Sequence, residues 1–397
     1  MTRALYHQSQ QLYFQSQVVA VQGAEVALAA TAFYPASGGQ SSDEGRLTWD
    51  GGQVSVMGVR KDKATGTVWH RLAGESIPQL GAQVSGEIDP DKRWRHTQRH
   101  SAEHLLAQAF ARISPAFQVA AVSMTAPECH LDLLGQPAET HIRAAENLLR
   151  RTLGRDELTL ETPIVPEDQL GHYPLRREAK VSGEVRLVMY RDALGEYFDV
   201  SACGGTHVPR AAMCAPVVVL RHERIKQGLT RVTFMAGEEA SEYLGQVYQE
   251  TRALSQQLSV PVGSVGVRVE ALLAEREQQN VQLAALHGQL ARQLVAAAPA
   301  EEVGAFRVRA LRLEDVALLL PALQAVAPGE VVIGTAPEGR CGLSQNGLTL
   351  DAGRLLRSAL ALSGGKGGGR TDLAQGTASD PEKFVEALRA ELRVVQG

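Results

Sequence analysis

Two pairs of residues in this sequence, each with a spacing of four, carry the side chains of a metal site. His100 and His104 lie in the stretch HSAEH, and Cys203 and His207 lie in the stretch SACGGTH. Residues four apart on a helix project from one face, so the two imidazoles can hold one ion. The glycines between Cys203 and His207 indicate a bend. Three nitrogens and one thiolate suit tetrahedral zinc, which predicts one Zn²⁺ per chain.

Neighbouring residues of similar chemistry are predicted to be structural. A zinc protease needs a glutamate where this helix has Ser101, so peptidase chemistry is disfavoured. Glu103 lies about 60° around the helix from His100 and could reach the site, but it is expected to be a solvated residue of the helix face. Cys129 and His130 are adjacent in a predicted strand and therefore point to opposite faces, so they are not expected to share an ion.

Length and composition narrow the class of protein. The 397 residues exceed one ordinary core and predict two to four domains. Hydrophobic residues make up 44%, and no apolar run approaches the roughly 18 residues of a membrane span. The net charge is −4, whereas many nucleic-acid-binding proteins carry a net positive charge. The N-terminus has no apolar signal core and the four cysteines suggest no disulfide framework, which predicts a cytoplasmic location.

The periodicity of apolar residues predicts an α+β protein of four parts. Residues 1–90 show short alternating runs between glycine-rich turns, which predicts a small N-terminal β-barrel. Residues 91–237 mix helices and strands and would form the core that holds the zinc site, with a strand hairpin turning at Gln227-Gly228. Residues 301–397 return to short strands and helices, which predicts a small C-terminal α/β domain.

Residues 238–300 carry two apolar stripes at helical spacing, separated by the stretch SVPVGS, where proline ends the first helix. Two long helices with a short break predict an antiparallel helical hairpin. A packed linker and a dimerisation element are both compatible with this pattern, so a homodimer stays open.

The motifs together resemble those of a known family. HSAEHLL, followed about a hundred residues later by CGGTHV, resembles the editing domain of alanyl-tRNA synthetase and of the AlaX trans-editing proteins. The stretch TAFYPASGGQSSDEG agrees with the glycine-rich motif of that domain. The tail GGKGGGRTDLAQG resembles the DHH-associated type domain at the C-terminus of the synthetase. The resemblance covers nearly the whole chain, in the same order.

The resemblance implies a trans-editing hydrolase of the long AlaX form. Its substrates would be Ser-tRNA(Ala) and Gly-tRNA(Ala), and Ala-tRNA(Ala) would be spared. The aminoacylation domain of a synthetase would precede the editing domain, so this chain is not expected to activate alanine. Two alternatives stay open: a non-catalytic zinc-containing module that binds tRNA, and a deacylase for another mischarged tRNA, such as a threonyl-type substrate. Retention of Gln40 beside four ligands favours the hydrolase.

The resemblance also implies roles for individual residues. Gln40 is expected to act near the ester as a catalytic residue, and Thr31 is expected to shape the amino-acid pocket. The zinc would either activate a water or anchor the substrate. Asp43 is expected to fix its loop by hydrogen bonds. The residues expected to bind substrate are Gly38, Gly39, Thr206 and Arg99.

Local clusters of basic residues predict contacts with tRNA. One cluster stands at the entrance to the histidine helix, a second contains Arg176, Arg177 and Lys180, and a third lies among the glycines of the tail. The tail is not a phosphate-binding P-loop, because neither serine nor threonine follows its Gly-Lys pair. The predicted tRNA contacts are Arg93, Arg95, Lys366 and Arg370.

Overall fold

The structure is a computed structural model of the chain and describes residues 2–74, 76–178, 183–226 and 228–395. The chain divides into two compact units, Met1–Arg252 and Ala253–Gly397. Helices and strands are mixed in both units, which confirms the predicted α+β class. The finer division into four parts stays a prediction.

The first unit begins with a closed barrel, as the alternating apolar pattern predicted. Residues 3–88 contain eight strands: β1 (Arg3–Ala4), β2 (Tyr13–Gln22), β3 (Glu25–Leu28), β4 (Ala30–Thr31), β5 (Gly45–Trp49), β6 (Gly52–Lys61), β7 (Val68–Ala73) and β8 (Gln83–Ile88). Six of them close in the order β2-β3-β7-β6-β5-β8, whereas β1 and β4 pair in parallel. Successive side chains of a strand point to opposite faces, so Phe14 and Val18 of β2 reach the core with Leu47 and Ile88.

Helix α1 (Pro90–Ile113) follows the barrel directly and carries the histidine pair. Asp89 caps its N-terminus by accepting two backbone N–H groups of the first turn. Pro90 suits the first helical position, where its missing N–H has no partner to lose. Leu106 and Phe110 follow His104 on the same helix and are fully buried, and each stabilises the fold by about 1.5–3 kcal/mol.

Two four-stranded sheets complete the first unit. The remaining elements are β9 (Val119–Ser123), β10 (Cys129–Leu134), α2 (Glu139–Arg155), β11 (Thr159–Glu161), β12 (Ile164–Pro166), β13 (Glu184–Arg191), β14 (Tyr197–Ala202), β15 (Val217–Lys226), β16 (Leu229–Ala236) and α3 (Gly237–Gln257). One sheet has the order β15-β16-β10-β9, and in the other β13 pairs with β11, β12 and β14. The predicted hairpin is β15 and β16, and its turn residue Gln227 lies outside the described residues.

The second unit is a small α/β domain, as predicted. Its elements are α4 (Val265–Ala297), β17 (Ala300–Val303), β18 (Phe306–Arg312), α5 (Leu319–Gln324), β19 (Glu330–Thr335), β20 (Arg340–Gln345), α6 (Ala352–Ser363), β21 (Gly365–Gly369), β22 (Leu373–Ala378) and α7 (Pro381–Val394). The strands form one sheet in the order β17-β18-β19-β20-β22-β21, which leaves the glycine-rich β21 at an edge.

Two long helices, α3 and α4, occupy the stretch that was predicted to be helical, and the hairpin arrangement itself stays a prediction. Within the described part of the chain, none of the helices has both the length and the apolar character that a membrane crossing requires.

Candidate metal centre

The four predicted ligands converge at one point of the first unit. His100, His104, Cys203 and His207 each place one ligand atom within 4.8 Å of the other three. The Sγ atom of Cys203 lies 3.4 Å from Nε2 of His100 and 3.5 Å from Nε2 of His207. A tetrahedron with Zn–N bonds of about 2.1 Å and Zn–S bonds of about 2.3 Å needs ligand separations of about 3.5 Å. The donor set and its spacing therefore fit zinc.

Each imidazole of the cluster has a polar partner at its Nδ1 atom, which leaves Nε2 as the atom that would ligate an ion. Oε1 of Gln40 lies 2.6 Å from Nδ1 of His100, and Oδ2 of Asp199 lies 3.1 Å from Nδ1 of His104. Oγ of Ser101 lies 3.3 Å from Nδ1 of His207. Such partners fix the ring orientation and tautomer of metal-binding histidines. Gln40, Asp199 and Ser101 therefore preorganise the ligands.

The bend that carries Cys203 and His207 begins where β14 ends, at Ala202. Arg186 holds this bend, because its guanidinium donates to the carbonyls of Cys203 and Gly205 at 2.8 and 3.0 Å. A Cβ atom added to Gly205 would lie 2.0 Å from Cε1 of His100, whereas one added to Gly204 would meet nothing within 4 Å. The sequence predicted that both glycines serve the bend, but only Gly205 is required by a close approach.

Charges within the cluster favour a thiolate. Burial alone would raise the pKa of Cys203, but the imidazoles of His100 and His104 hold that pKa well below its usual value. Burial alone would lower the pKa of His104, but the Cys203 thiolate and Asp199 raise it to about 10. These shifts favour a thiolate on Cys203 and a proton on His104, and a metal ion that binds there would compete with that proton.

A cavity opens beside the cluster, and Gln40 is not among the residues that line it, although the sequence predicted that Gln40 acts near the ester. Its Oε1 accepts from His100 and from the backbone N–H of Thr206, and its Nε2 donates to Oγ1 of Thr206 at 2.9 Å. The preceding Gly39 has a positive φ of 81° and packs closely on Val122. Gly38 lines the cavity. The glycine-rich loop thus delivers the Gln40 amide to a metal ligand.

Two threonines that were predicted to act on the substrate are fully buried elsewhere. Thr31 donates its hydroxyl to Nε2 of His70 at 2.8 Å and accepts from the N–H of Phe33, so it belongs to the barrel. Thr206 is bonded to Gln40 and to the hydroxyl of Thr97, at 2.9 Å each. Neither threonine is among the residues that line the cavity beside the cluster, and their predicted contacts with substrate stay predictions.

Two of the predicted contact arginines are also engaged inside the protein. Arg93, which was predicted to contact tRNA, is 2% exposed, and its guanidinium pairs with Asp43 and donates to the carbonyl of Ala32. Asp43 also accepts from the N–H of Tyr34 and so fixes the loop as expected. Arg99 is 6% exposed and donates to both carboxylate oxygens of Glu239. It lies outside the wall of the cavity beside the cluster.

The other predicted tRNA contacts lie at the surface. The Arg95 side chain is 40% exposed, with Nη2 3.5 Å from Oε1 of Glu242. Lys366 is exposed on the edge strand β21, and Arg370 pairs with Asp372 at 3.2 Å while staying exposed. These positions leave the predicted contacts open. Lys180 lies outside the described residues.

A cavity of about 850 Å³ opens beside the cluster. Its wall includes His100, His104 and Cys203, two tyrosines and several cations. Tyr6 and Tyr34 are buried and meet edge to face, with ring centroids 5.5 Å apart. The cations in the wall are Lys61, Arg176 and Arg177, with the half-buried His7 beside them. The cavity can therefore take an anionic ligand with aromatic groups.

Sequence reasoning missed three residues of the site. Asp199 stands four residues before Cys203 along β14, on the same face of the chain, and this alternation could have revealed it. Glu103 was expected to be solvated but is 4% exposed and lines the cavity. Nothing local in the sequence connects Arg186 with the bend, because the two are joined only by the pairing of β13 with β14.

Family models match three stretches of the chain. The model of class II (A) tRNA synthetases matches residues 2–92. The model described as the threonyl and alanyl tRNA synthetase second additional domain matches residues 185–233. The DHHA1 domain matches residues 322–396. The second stretch contains Cys203 and His207, and the third contains Lys366 and Arg370.

Whole-chain relatives agree with these matches. An alanine–tRNA ligase of Pyrococcus abyssi is 29% identical over 99% of this chain and 44% of its own length. An alanine–tRNA ligase of Frankia casuarinae is 32% identical over 93% of this chain and 43% of its own length. The C-Ala domain of Aquifex aeolicus alanyl-tRNA synthetase is a solved structure that is 26% identical over 25% of this chain and 99% of that chain, at a TM-score of 0.22.

The chain spans less than half the length of the curated relatives that it matches. The three matched stretches nevertheless follow one another along the chain, and they contain the barrel, the bend with Cys203 and His207, and part of the C-terminal α/β domain. These matches support the recognition of an AlaX-like protein, because the chain is similar over nearly its whole length to part of the alanine–tRNA ligases.

Proposed function

We propose that this protein hydrolyses the aminoacyl ester of mischarged tRNA(Ala), with Ser-tRNA(Ala) and Gly-tRNA(Ala) as substrates. The observation that carries the proposal is the cluster of three histidines and one cysteine in the wall of a large cavity. Its location in a chain related to alanine–tRNA ligases supports tRNA(Ala) as the partner. One Zn²⁺ per chain is the proposed cofactor, since the ligand spacing suits that ion.

The chain's own residues provide the site for the acceptor end of the tRNA. A zinc ion held by the cluster supplies a Lewis acid next to the ester. Lys61 and Arg177 are exposed in the cavity wall and attract the phosphates of the tRNA backbone. Tyr6 and Tyr34 offer aromatic surface to the terminal adenine or to the sugar. The ester then lies at the ligand cluster, where Gln40 and Asp199 hold His100 and His104 in place.

A deacylation assay tests this proposal. The purified protein is incubated separately with Ser-tRNA(Ala), Gly-tRNA(Ala) and Ala-tRNA(Ala), and the remaining aminoacyl-tRNA is measured over time. We expect rapid loss of the first two and slow loss of the third. Failure to accelerate the loss of any of them would refute the hydrolase, and equal rates for all three would refute the specificity.

The same assay separates the alternatives. A non-catalytic module that binds tRNA would retain the tRNA on a filter without releasing the amino acid. A threonyl-type deacylase would hydrolyse Ser-tRNA(Thr) faster than Ser-tRNA(Ala). We expect the reverse order, because the whole-chain relatives are alanine ligases. A cytoplasmic location and a homodimer stay predictions from the sequence.

A further inference from the structure

One buried carboxylate in the cavity wall has no role in the arrangement described so far. Glu103 lies on α1 between the two histidine ligands, and its side chain is 6% exposed. Its nearest charged partner is His104, whose Nε2 lies 3.8 Å from Oε2 of Glu103, beyond hydrogen-bond distance. Among residues 2–74, 76–178, 183–226 and 228–395, no side chain donates a hydrogen bond to it.

A buried carboxylate that accepts no hydrogen bond is unfavourable, because its charge loses hydration and gains little in return. Its one charged neighbour here is His104, and an ion that binds the cluster competes for the proton of that imidazole. The structure offers two ways to compensate this charge: the ion in the adjacent cluster, or a cation that arrives with the substrate. The cluster is already complete with four ligands, and Glu103 is not among the residues that converge on it. A cation of the substrate is therefore the better match.

The charges of the cavity wall support this match. Apart from the metal ligands, Glu103 and the exposed Glu178, the charged side chains that the structure places in the wall are cations: Lys61, Arg176 and Arg177. Arg176 is engaged already, donating to the carbonyl of His104 at 2.7 Å and lying 3.6 Å from Asp199. The wall thus presents positive charge for a polyanion and a single buried negative group beside the ligands.

An aminoacyl-tRNA has the complementary distribution of charge. Its backbone is a chain of phosphates, and the aminoacyl group carries one ammonium on the carbon next to the ester carbonyl. Bond lengths of about 1.46 and 1.52 Å place that nitrogen about 2.5 Å from the carbonyl carbon. An ester that reacts at the ligand cluster therefore keeps its ammonium close to the cluster, within reach of the Glu103 carboxylate, which lies 3.8 Å from Nε2 of His104.

We propose that Glu103 binds the α-ammonium group of the aminoacyl ester and so restricts this site to esters with a free, charged α-amine. This proposal rests on the proposed function and names the class of ester that the site accepts. Serine and glycine share this ammonium, so Glu103 recognises both esters alike. Esters whose amine is acylated, as in peptidyl-tRNA, would leave the buried carboxylate unpaired and be excluded.

The test compares three esters on the same tRNA(Ala): seryl, N-acetylseryl and N-methylseryl. N-acetylation removes the charge, whereas N-methylation adds bulk but keeps the charge. Wild-type protein should have a kcat/KM for the seryl and N-methylseryl esters about 10- to 100-fold above that for the N-acetylseryl ester, the range of a charge-assisted hydrogen bond. Equal values for the seryl and N-acetylseryl esters would overturn the proposal without any variant.

The variant Glu103→Gln tests the residue itself. It should raise KM for the seryl ester about 10- to 100-fold with a smaller change in kcat, and leave the N-acetylseryl ester unaffected. Asp91→Asn removes the same charge from the exposed first turn of α1 and should leave both esters unaffected. The zinc content of each variant is measured in parallel and should stay at one per chain.

Each other result has a definite meaning. Loss of zinc from Glu103→Gln would show that Glu103 is a ligand and overturn the proposal. Equal slowing of both esters by the variant would show a role in the hydrolytic step and also overturn it. Wild-type protein that hydrolyses none of the esters would refute the proposed function. If the wild-type protein is active and has the same kcat and KM for the seryl ester as Glu103→Gln, only the role of Glu103 is refuted.

Discussion

At the scale of single residues, the ligands were evident in the sequence and their supports were not. His100 and His104 could be paired by helical spacing, and the bend at Cys203 supplied the remaining donors. The structure brings all four together. The contact between Gln40 and His100 is visible only in the structure, because the two residues are sixty positions apart in the chain. Residue type alone could not separate a group that touches substrate from one that orients a ligand.

Replacement of Gln40 by alanine should weaken zinc binding. The variant leaves Nδ1 of His100 without its acceptor, and loss of such a partner typically costs 10- to 100-fold in metal affinity. Competition with a chromogenic chelator measures the affinity. Thr31→Val is the matched control: it should keep the zinc affinity but lower the free energy of unfolding by about 1–3 kcal/mol, because His70 loses its donor. Unchanged zinc affinity in Gln40→Ala would contradict the positioning role.

The two glycines of the bend should respond differently to a methyl group. Gly205→Ala puts a Cβ atom into the imidazole of His100, so we expect at least a tenfold loss of zinc affinity and activity. Gly204→Ala meets no atom within 4 Å and should behave as wild type. Metal analysis and the deacylation rate of both variants check this. Similar losses in both variants would mean that the bend needs flexibility rather than space.

At the scale of elements, the alternating strands and the histidine helix were predictable because their periodicity is strong. The barrel confirms the alternation of residues 1–90, and α1 covers the predicted helical stretch. The contacts between elements were not predictable. Arg93 and Arg99 read as a basic surface cluster, yet both turn inward and pair with Asp43 and Glu239. The packing of α1 against the barrel and α3 decides whether these arginines face inward, and the local sequence around them does not contain that information.

The barrel should lose stability in mild acid because of His70. Burial lowers the pKa of His70 to about 4, so the folded state keeps the ring neutral while the unfolded state binds a proton below about pH 6.5. The stabilising contribution is complete above about pH 6.5 and is lost as the pH falls to about 4, by up to about 3 kcal/mol. Urea unfolding across this range, on wild type and His70→Gln, measures it. The variant should show a flatter profile, and parallel profiles would contradict the assignment.

At the scale of the whole molecule, the order of motifs along the chain indicated the resemblance to alanyl-tRNA synthetase. The chain divides into two compact units, and its finer division into four parts stays a prediction. The matches run through the barrel, the second additional domain and the DHHA1 domain in that order. The sequence does not show which unit binds the tRNA, because exposed cations occur in both units and a sequence does not distinguish between them. Experiments on the two units therefore have to separate tRNA affinity from ester cleavage.

Removal of two cations from the second unit should weaken tRNA binding without slowing the reaction itself. Lys366→Ala with Arg370→Ala removes two exposed charges, so we expect weaker binding of full-length Ser-tRNA(Ala) and a shallower dependence of affinity on salt. Hydrolysis of a short seryl minihelix, which retains the acceptor end, should be unchanged. Filter binding and single-turnover kinetics measure the two effects. Slower cleavage of the minihelix would contradict this division between the units.

The central claim is that the cluster of His100, His104, Cys203 and His207 holds the zinc on which hydrolysis depends. The direct measurement removes the metal with a chelator, confirms its absence by elemental analysis and follows deacylation of Ser-tRNA(Ala) as Zn²⁺ is returned. We predict that activity falls to the uncatalysed rate without zinc and returns in full at one equivalent of zinc. The variant His104→Ala should regain neither bound zinc nor activity when zinc is returned. Metal-free protein that hydrolyses the ester at the original rate would contradict the account.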